Sequence, residues 1–415
     1  MKRLVRRVLL ALIALVVAAD AALFAGPLVS GGLFLSWQKR VTPTDHSLPA
    51  SYLPLHKGYI DISTGLYVRE DEDIVLPGTP PFVLRRTYRT EDRVSREFGI
   101  GATHNGEWYL YGDGARFKWA ELILADGNRV HYDRTSPGIT VFNAMYRHWG
   151  GRDEFQGSRL GWNGTEWVLR EYDGSVGKFL PCGADGTKCA ISEWRDSDGH
   201  RTQFLRDAAH RLLSVTTGAQ TIRFEHDSHG RVVRVTDQAQ HAIAYSYDST
   251  GRLRKAAGSD GTIRTYDYDS ADRLTRIEEP GRIVENTYDG GGLCVRQVVR
   301  STARVIAAVA QPYRFEVSYK TVGRQIVEAD VDESGARRVR YQFTPGGEPA
   351  SEVYEPDTPA AVVVKYDRDP IDDLVSGVTV SCGSGRWRLV RSLPVPDAGP
   401  SEPRTKLLRD CGVRE

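Results

Sequence analysis

The sequence has almost no net charge. Its 415 residues include 55 lysines and arginines against 54 aspartates and glutamates, which leaves a formal charge of +1 at pH 7. A chain without a charge excess produces no overall electrostatic field that would select nucleic acid or an anionic surface. We therefore expect no nucleic-acid partner.

The sequence also lacks the short motifs that mark common catalytic sites. It contains no Gly-x-Ser-x-Gly elbow, no Walker loop, no Gly-x-Gly-x-x-Gly before a helix and no His-Glu-x-x-His. The run REDED at residues 69–73 lacks the glycine and the final glutamate of a calcium loop. We interpret it as a solvated edge that discourages strand pairing. The prediction is a non-enzymatic protein with no catalytic, cofactor-binding or metal-binding residues and no cofactor.

Three histidine-containing stretches resemble sites but are better explained as structure. Residues 196–200, DSDGH, begin like a calcium loop, and we predict a turn there. Histidine lies near aspartate at residues 131–133 and 226–227. Because neighbouring side chains of a strand face opposite sides, we predict that neither stretch forms a catalytic dyad.

Cysteine is scarce and odd in number. An odd count does not give a complete disulfide framework. Cys182 and Cys189 lie close enough in sequence to close a small loop in an oxidising compartment, and free thiols are the alternative. A zinc site is not expected, because no CxxC or nearby histidine pair completes four ligands. The five cysteines are Cys182, Cys189, Cys294, Cys382 and Cys411.

Charge is missing from a long stretch near the N terminus. After four basic residues in the first seven, residues 8–19 are apolar, Asp20 interrupts, and residues 21–37 are again uncharged. The short run with small residues at 19–21 fits a cleaved signal peptide. The whole stretch also fits an uncleaved membrane anchor, since about 20 residues cross a bilayer, and a buried core helix is a third interpretation. Either export interpretation sends the remainder across the membrane, because the preceding positive charge stays in the cytoplasm.

A repeat dominates the second half of the chain. An aspartate recurs at intervals of 20, 21, 21 and 20 residues. A period near 20 is too short for two helices and suits two strands and two turns. The 41 glycines and 19 tyrosines also favour turns and strands. The repeating aspartates are Asp207, Asp227, Asp248, Asp269 and Asp289.

Each repeat unit is typical of a hairpin with one aromatic face. Tyr245 and Tyr247 precede Asp248 and share a strand face, because side chains alternate with period two. Residues 248–251, Asp-Ser-Thr-Gly, have the pattern of a type I turn. Neighbouring hairpins bury each other's faces, and a single hairpin is not stable alone. Five near-equivalent copies argue against one catalytic carboxylate, so the Tyr-Asp pairs are predicted to be scaffold.

These residues resemble the YD repeats of the Rhs/YD-repeat family. The family motif Tyr-Asp-x-x-Gly-Arg-Leu stands here at residues 247–253, and the other copies are degenerate. Upstream, residues 61–65, 73–78 and 86–88 resemble the module that precedes YD repeats in Rhs proteins. The resemblance covers residues 58–300, with a fainter trace beyond.

The resemblance implies a β-sheet wound into a hollow shell around a C-terminal toxin, used in contact-dependent competition between bacteria. This chain departs from that pattern. Five repeats are too few to close a large shell, and the DPxGL junction at which the toxin is released is missing, since residues 369–374 read DPIDDL. Only residues 375–415 follow. We therefore carry over the scaffold, and neither the protease nor the toxin.

These observations predict an all-β fold. The expected architecture is an antiparallel β-hairpin repeat sheet, partly shell-like, preceded by a hydrophobic export or anchor helix. The expected segments are a signal peptide or membrane anchor at 1–40, a linker at 41–57, an Rhs-type N-terminal β module at 58–180, YD repeats at 190–300, a degenerate continuation at 301–375, and a C-terminal strand with a proline-rich tail at 376–415.

The function indicated is a non-enzymatic cell-envelope scaffold linked to bacterial surface interaction or contact-dependent competition. One alternative is a carbohydrate-binding adhesion module, because tryptophans stack on sugars, although core packing of a β domain explains them equally. Another is a truncated toxin effector with a short C-terminal tail. We expect a surface protein or polysaccharide as partner, a membrane contact through the N-terminal segment, and a periplasmic or extracellular location. The six tryptophans between residues 100 and 200 are Trp108, Trp119, Trp149, Trp162, Trp167 and Trp194.

Overall fold

The computed structural model confirms the all-β fold. It describes residues 55–56, 60–90, 92–112, 118–124, 129–148, 155–182, 188–302, 313–334, 338–345, 347–368, 375–383, 385–390, 408 and 411. Within these ranges no helix is both long enough and apolar enough to cross a membrane. The predicted signal peptide or anchor at 1–40 lies outside the described residues, as does most of the predicted linker.

The first part of the chain forms a small antiparallel sheet. Its five strands are ordered β1-β2-β3-β4-β7, and β5 and β6 pair only with each other. Strand β3 is long and alternates buried and exposed residues along much of its length, which gives it one face for the core. The strands are β1 (Leu55–His56), β2 (Ile60–Asp61), β3 (Leu66–Leu76), β4 (Phe82–Arg89), β5 (Ser95–Arg96), β6 (Gly99–Ile100) and β7 (Ala102–His104).

The next eight strands close on themselves. Each pairs with its successor, and the last also pairs with the first through Cys189 opposite Leu110 and Ala190 opposite Tyr109. A short 3-10 helix, Val141–Asn143, lies in one connection. The strands are β8 (Tyr109–Gly112), β9 (Trp119–Ile123), β10 (Arg129–Arg134), β11 (Met145–Arg147), β12 (Arg159–Trp162), β13 (Trp167–Arg170), β14 (Val176–Phe179) and β15 (Cys189–Arg195).

The repeats continue the same sheet from β15. Each pairs with its successor in antiparallel register, as the hairpin prediction requires. The strands of the repeats are β16 (Arg201–Arg206), β17 (Leu212–Thr217), β18 (Gln220–His226), β19 (Val232–Thr236), β20 (Ala242–Tyr247), β21 (Leu253–Gly258), β22 (Ile263–Tyr268), β23 (Leu274–Glu279), β24 (Arg282–Tyr288) and β25 (Cys294–Ser301).

Seven further strands follow in the same antiparallel manner. The last of them, β32, lies within residues 376–415, the range for which the sequence predicts a C-terminal strand. They are β26 (Tyr313–Val322), β27 (Gln325–Glu333), β28 (Val339–Phe343), β29 (Pro349–Tyr354), β30 (Val362–Arg368), β31 (Val375–Cys382) and β32 (Gly385–Val390).

The core lies between the small N-terminal sheet and one face of the repeat sheet. Aromatic rings meet edge to face across this core: Phe82 of the small sheet contacts Phe204 with ring centroids 6.3 Å apart, and Phe98, between β5 and β6, contacts Tyr245 at 5.1 Å. Such contacts contribute about 0.5–1.5 kcal/mol beyond the area that they bury. The N-terminal sheet therefore packs against the inner face of the repeats.

Two disulfides join parts of the sheet to its connections. Cys182 is bonded to Cys189, one of the two states left open by the sequence. Cys382 is bonded to Cys411, a pair that the sequence did not indicate. Leu408 is fully buried in a second apolar cluster with strands β30 and β31. Cys294 is a buried free thiol, and burial raises its pKa to about 12.

Gly99 is a position where the fold requires a glycine. Its φ is +91°, and a Cβ would lie 2.6 Å from the backbone oxygen of Gly251 in the central repeat. We expect Gly99→Ala to destabilise the protein by about 3 kcal/mol, from backbone strain and this clash together. Gly261 has φ +87° with nothing within 4 Å, so Gly261→Ala carries the strain alone and should cost about 1 kcal/mol. Urea unfolding measures both; equal losses would contradict the close approach.

Candidate functional site

The aspartate of each repeat organises its own turn. In the central unit, Asp248 Oδ1 accepts the backbone N–H groups of Thr250 and Arg252, both at 3.0 Å. Asp248 Oδ2 accepts the Arg252 Nε–H at 2.7 Å. The same bonds recur at Asp207, Asp227 and Asp269. The carboxylates are used by their own turns, in agreement with the scaffold prediction.

These bonds change the acidity of the turn aspartates. Burial alone would raise the pKa of Asp248, but the backbone N–H of Arg252, the Thr250 hydroxyl and the Arg252 guanidinium lower it to about 2. The pKa values of Asp207, Asp227 and Asp269 are lowered in the same way, with the arginine four residues on as donor. The folded protein therefore favours the charged form of each of these aspartates.

Three of the motif arginines each link their own unit to the next. The guanidinium of Arg231 lies 4.7 Å from the ring centre of Tyr247, that of Arg252 lies 5.4 Å from Tyr268, and that of Arg273 lies 4.9 Å from Tyr288. Each is a cation–π contact across neighbouring hairpins. This role was not predicted from the sequence. The pattern that could have indicated it is an arginine four residues after four of the repeating aspartates.

The tyrosine hydroxyls are bonded inside the sheet. Tyr247 donates to the Val232 carbonyl at 2.6 Å, and Tyr288 donates to the Leu274 carbonyl at 2.8 Å. Burial raises the pKa of Tyr245 and Tyr288 well above the usual range of a phenol. Neutral hydrogen-bonded phenols act as packing groups here, so the rings face inward as the hairpin pattern predicted.

The interpretation of residues 69–73 as a solvated edge was wrong. Glu70 and Glu72 are exposed, but Arg69, Asp71 and Asp73 point into the core, because alternate residues of β3 face opposite sides. The buried members lie on the face that packs against the repeats, where charge requires partners.

Arg86 on the neighbouring strand completes this buried network. Its guanidinium pairs with Asp73, and its Nη2 donates to the Tyr266 hydroxyl at 3.1 Å. Tyr245 donates to Asp73 at 2.6 Å, and Tyr266 donates to Asp71 at 2.8 Å. Burial would raise the pKa of Asp71, but Arg86 and Arg69 hold it below its usual range. The network thus joins the N-terminal sheet to the tyrosines of two repeats.

A second buried cluster lies around Glu97. Its Oε1 accepts the Leu212 N–H at 2.9 Å, and its Oε2 lies 3.2 Å from His104 Nε2 and 3.9 Å from His226 Nε2. Burial would raise the pKa of Glu97, but the two histidines lower it. In the described part of the chain, no three His, Cys, Asp or Glu side chains are arranged to hold a metal ion.

The histidine predictions have different outcomes. His226 faces Glu97 rather than its neighbour Asp227, as expected. For His131 the geometric premise was wrong: its Nε2 lies 3.3 Å from Asp133 Oδ1, because residues two apart share a strand face. Both side chains of that pair are more than half exposed. Residues 196–200 form the predicted turn, with Asp196 bonded to His200.

Most of the described tryptophans pack against other aromatic rings. Trp108 contacts Trp194 with ring centroids 5.3 Å apart, and Trp162 contacts Trp167 at 5.4 Å. Trp119 stands outside this set and contacts Tyr111 and His131. Trp149 lies outside the described residues. Core packing therefore explains four of the six.

An open cleft of about 310 Å³ lies beside the buried network. Its polar groups bond to each other: Arg264 donates to Asp73 at 2.9 Å, and His241 lies 2.9 Å from Asp237. We assign no chemistry to it. The lining residues are Asp73, Ile74, Val75, Asp237, His241, Ala242, Ile243, Ala256, Gly258, Ser259, Asp260, Thr262 and Arg264.

Two family models match the chain. Residues 57–132 match a domain of unknown function (DUF6531), and residues 192–370 match the Teneurin YD-shell. The chain belongs to the Rhs/YD-repeat family. The first range runs from strand β2 into β10, and the second runs from within β15 to the end of β30.

Solved structures were also compared with this YD-repeat chain. TcdB2-TccC3 without its hypervariable C-terminal region is 10% identical over 79% of this chain, with a TM-score of 0.34. TcdB2-TccC3-TEV is 10% identical over 79%, with a TM-score of 0.28. A porin-like protein from Bacteroides uniformis is 11% identical over 56% of this chain and 95% of its own, with a TM-score of 0.22. The chain spans only 22% and 25% of the first two. No curated protein matches it.

The acidity of the turn aspartates predicts a pH dependence of stability. A folded-state pKa near 2, below the ordinary value of 3.8, means that Asp248 stabilises the fold above about pH 4 and loses this effect as the pH falls towards 2. We expect Asp248→Asn to be destabilising at pH 6, with the difference from wild type shrinking towards pH 2. Urea unfolding at each pH measures it. Asp198→Asn, an exposed turn carboxylate, is the control; a constant gap for Asp248→Asn would contradict the assignment.

The buried network predicts an asymmetry between adjacent residues of β3. Asp73→Asn should destabilise the protein by about 3–5 kcal/mol, because it leaves the buried Arg86 without its full counter-charge. Glu72→Gln removes the charge of a side chain that is 57% exposed and should cost less than about 1 kcal/mol. Chemical denaturation of both variants is the measurement. Equal losses would show that the network does not join the two sheets.

Proposed function

We propose that this YD-repeat chain is a non-enzymatic scaffold of the cell envelope that serves in bacterial surface interaction or contact-dependent competition. One observation carries the proposal. The repeating aspartates form hydrogen bonds within their own turns, and the tyrosines stack against arginines and donate to backbone carbonyls within the sheet. Groups held in this way supply rigidity, and none of them faces a cleft with an unpaired reactive atom.

The location is part of the proposal. The basic N terminus followed by a long uncharged stretch supports export, either as a membrane anchor or, after cleavage, as a secreted chain. The two disulfides also support an oxidising compartment. The partner class we propose is a surface protein or a polysaccharide.

One specific observation supports a second function, carbohydrate binding. Trp119 is half-buried, and it lies 6.0 Å from Tyr111 and 6.2 Å from His131, ring centre to ring centre, on the face of β8–β10 turned away from the core. Trp108, Trp162, Trp167 and Trp194 are engaged in aromatic packing. The truncated-effector alternative rests on the family resemblance alone.

Protease access to spheroplasts tests the location. We expect the full-length chain, expressed with a C-terminal tag, to be degraded by protease added outside the cytoplasmic membrane. The matched control reverses Lys2, Arg3, Arg6 and Arg7 to glutamate, which removes the charge that keeps the N terminus inside. This variant should be protected. Protection of the unaltered chain would contradict the envelope location.

Growth on expression separates scaffold from effector. Residues 41–415 produced in the cytoplasm should leave growth unchanged if the chain is a scaffold, since no part of it then attacks the host. Growth arrest would contradict the scaffold proposal and favour the effector alternative. A frameshifted gene at the same expression level is the control.

A further inference from the structure

The outer face of the sheet carries a row of arginines that no sequence motif indicates. The strand registers place Arg147 opposite Arg159, and Arg159 opposite Arg170. Arg170 lies opposite Val176, which lies opposite Arg195, and Arg195 lies opposite Arg201. Six adjacent strands, β11 to β16, therefore present five arginines in one line, which we call the arginine row.

The arginine row faces away from the core. The residues that alternate with its members, Leu160, Leu169 and Thr202, are buried on the other face. Arg159, Arg170 and Arg201 are exposed, and Arg147 and Arg195 are half-buried. Neighbouring strands lie about 4.8 Å apart, so the row spans about 24 Å along the sheet.

Four members of the row have no acidic partner. Among the described residues, no carboxylate oxygen lies within the 4.0 Å ion-pair distance of Arg159, Arg170, Arg195 or Arg201. The carboxylates of the adjoining row, Glu166 and Glu193, are 3.7 and 3.4 Å from Lys178. Glu166 and Glu193 thus pair with a lysine and leave these four arginines without an acidic partner.

A structural role does not explain this arrangement. Like charges directly opposite each other destabilise a sheet, and elsewhere on this sheet arginines pair with acids across strands, as Arg276 does with Glu285 at 2.9 Å. An exposed arginine that packs or pairs would reduce the repulsion. The four unpaired arginines of the row keep their repulsion in the free protein, and an anion bound along the line would remove it.

We propose that the arginine row is a binding track for a linear acidic polysaccharide with carboxylates along its length. Guanidinium groups bind carboxylates in a planar, two-bond geometry, and a line of them suits a chain that repeats its charge. The proposal goes beyond the scaffold role and rests on it only in that an exported protein meets such polymers.

A polysaccharide fits the arginine row better than single-stranded nucleic acid. Single-strand binders interleave aromatic side chains with their basic groups so that bases stack along the groove. Here Val176 is the only other residue in the line between Arg147 and Arg201, and Val176 is buried. The rings of Tyr111 and Trp119 lie on β8 and β9, beyond Asp133, which stands opposite Arg147 and ends the basic line. The line itself therefore offers charge without stacking surfaces, and the exposed ring of Tyr172 lies outside it, in the turn between β13 and β14.

Binding of polygalacturonate to the full-length chain in detergent tests the proposal. We expect binding that weakens as salt rises from about 50 to 200 mM, because exposed charges are screened. The triple variant Arg159→Gln, Arg170→Gln, Arg195→Gln should bind about 10- to 100-fold more weakly, at about two- to fivefold for each lost ion pair. Arg223→Gln, an exposed arginine outside the row, should change affinity less than about twofold.

Two further measurements fix the outcome. The melting temperature of the triple variant should equal or exceed that of wild type, since a like-charge repulsion is removed; a lower one would assign the arginines a structural role. Absence of polygalacturonate binding, or equal binding by the triple variant, overturns the track. Tighter binding of oligo-dT, lost in the same variant, overturns the polysaccharide assignment. None of these results depends on where the protein resides, so the scaffold proposal is tested separately.

Discussion

The contact on which the repeat sheet depends is the link that the motif arginines Arg231, Arg252 and Arg273 make between neighbouring hairpins. The arginine bonds to the aspartate of its own turn and lies over the tyrosine ring of the next unit, and Arg252 also donates to the Asp269 carbonyl at 2.9 Å. A lone hairpin is at best marginally stable in water. Backbone pairing alone leaves the register of a sheet weakly specified, so a charged group that must reach both its own aspartate and the next ring fixes the offset between units.

The arginine link is absent from the fifth repeat unit, where the N-terminal sheet makes a contact instead. In the fifth unit Leu293 occupies the position of the arginine, and the Cys294 N–H donates to the Gly65 carbonyl of the N-terminal sheet at 2.8 Å. The buried network of Arg69, Asp71, Asp73 and Arg86 then holds that sheet against the tyrosines. Buried ion pairs add little net stability over apolar packing. The tyrosines that bond to this network stand at fixed positions in two repeats. All of its hydrogen bonds can therefore form in only one position of the small sheet on the repeats.

The sequence predicted what depends on local chemistry. Asp at the first turn position with Gly at the fourth gave the turns of the repeats, and the alternation of Tyr245 and Tyr247 gave the buried face. What it missed depends on distant residues. Residues 69–73 are acidic in composition, so they were interpreted as solvated, but Asp73 meets Tyr245, 172 positions away. At His131 the side-chain alternation of a strand was misapplied, since residues 131 and 133 are two apart and therefore share a face. The Cys382–Cys411 bond closes 29 residues and has no local signal.

Net charge and charge distribution carry different information. In this protein the net charge is close to zero while the local charge along one line of the sheet is strongly positive. A total of +1 excludes a strong overall field, and it says nothing about a line of arginines spread over residues 147 to 201. Their spacing in sequence is irregular, because each interval contains a turn of a different length. Only the pairing register brings them into one row. Within a Debye length of about 8 Å, a bound chain senses the row rather than the average of the surface, so a neutral composition is compatible with a strongly basic local track.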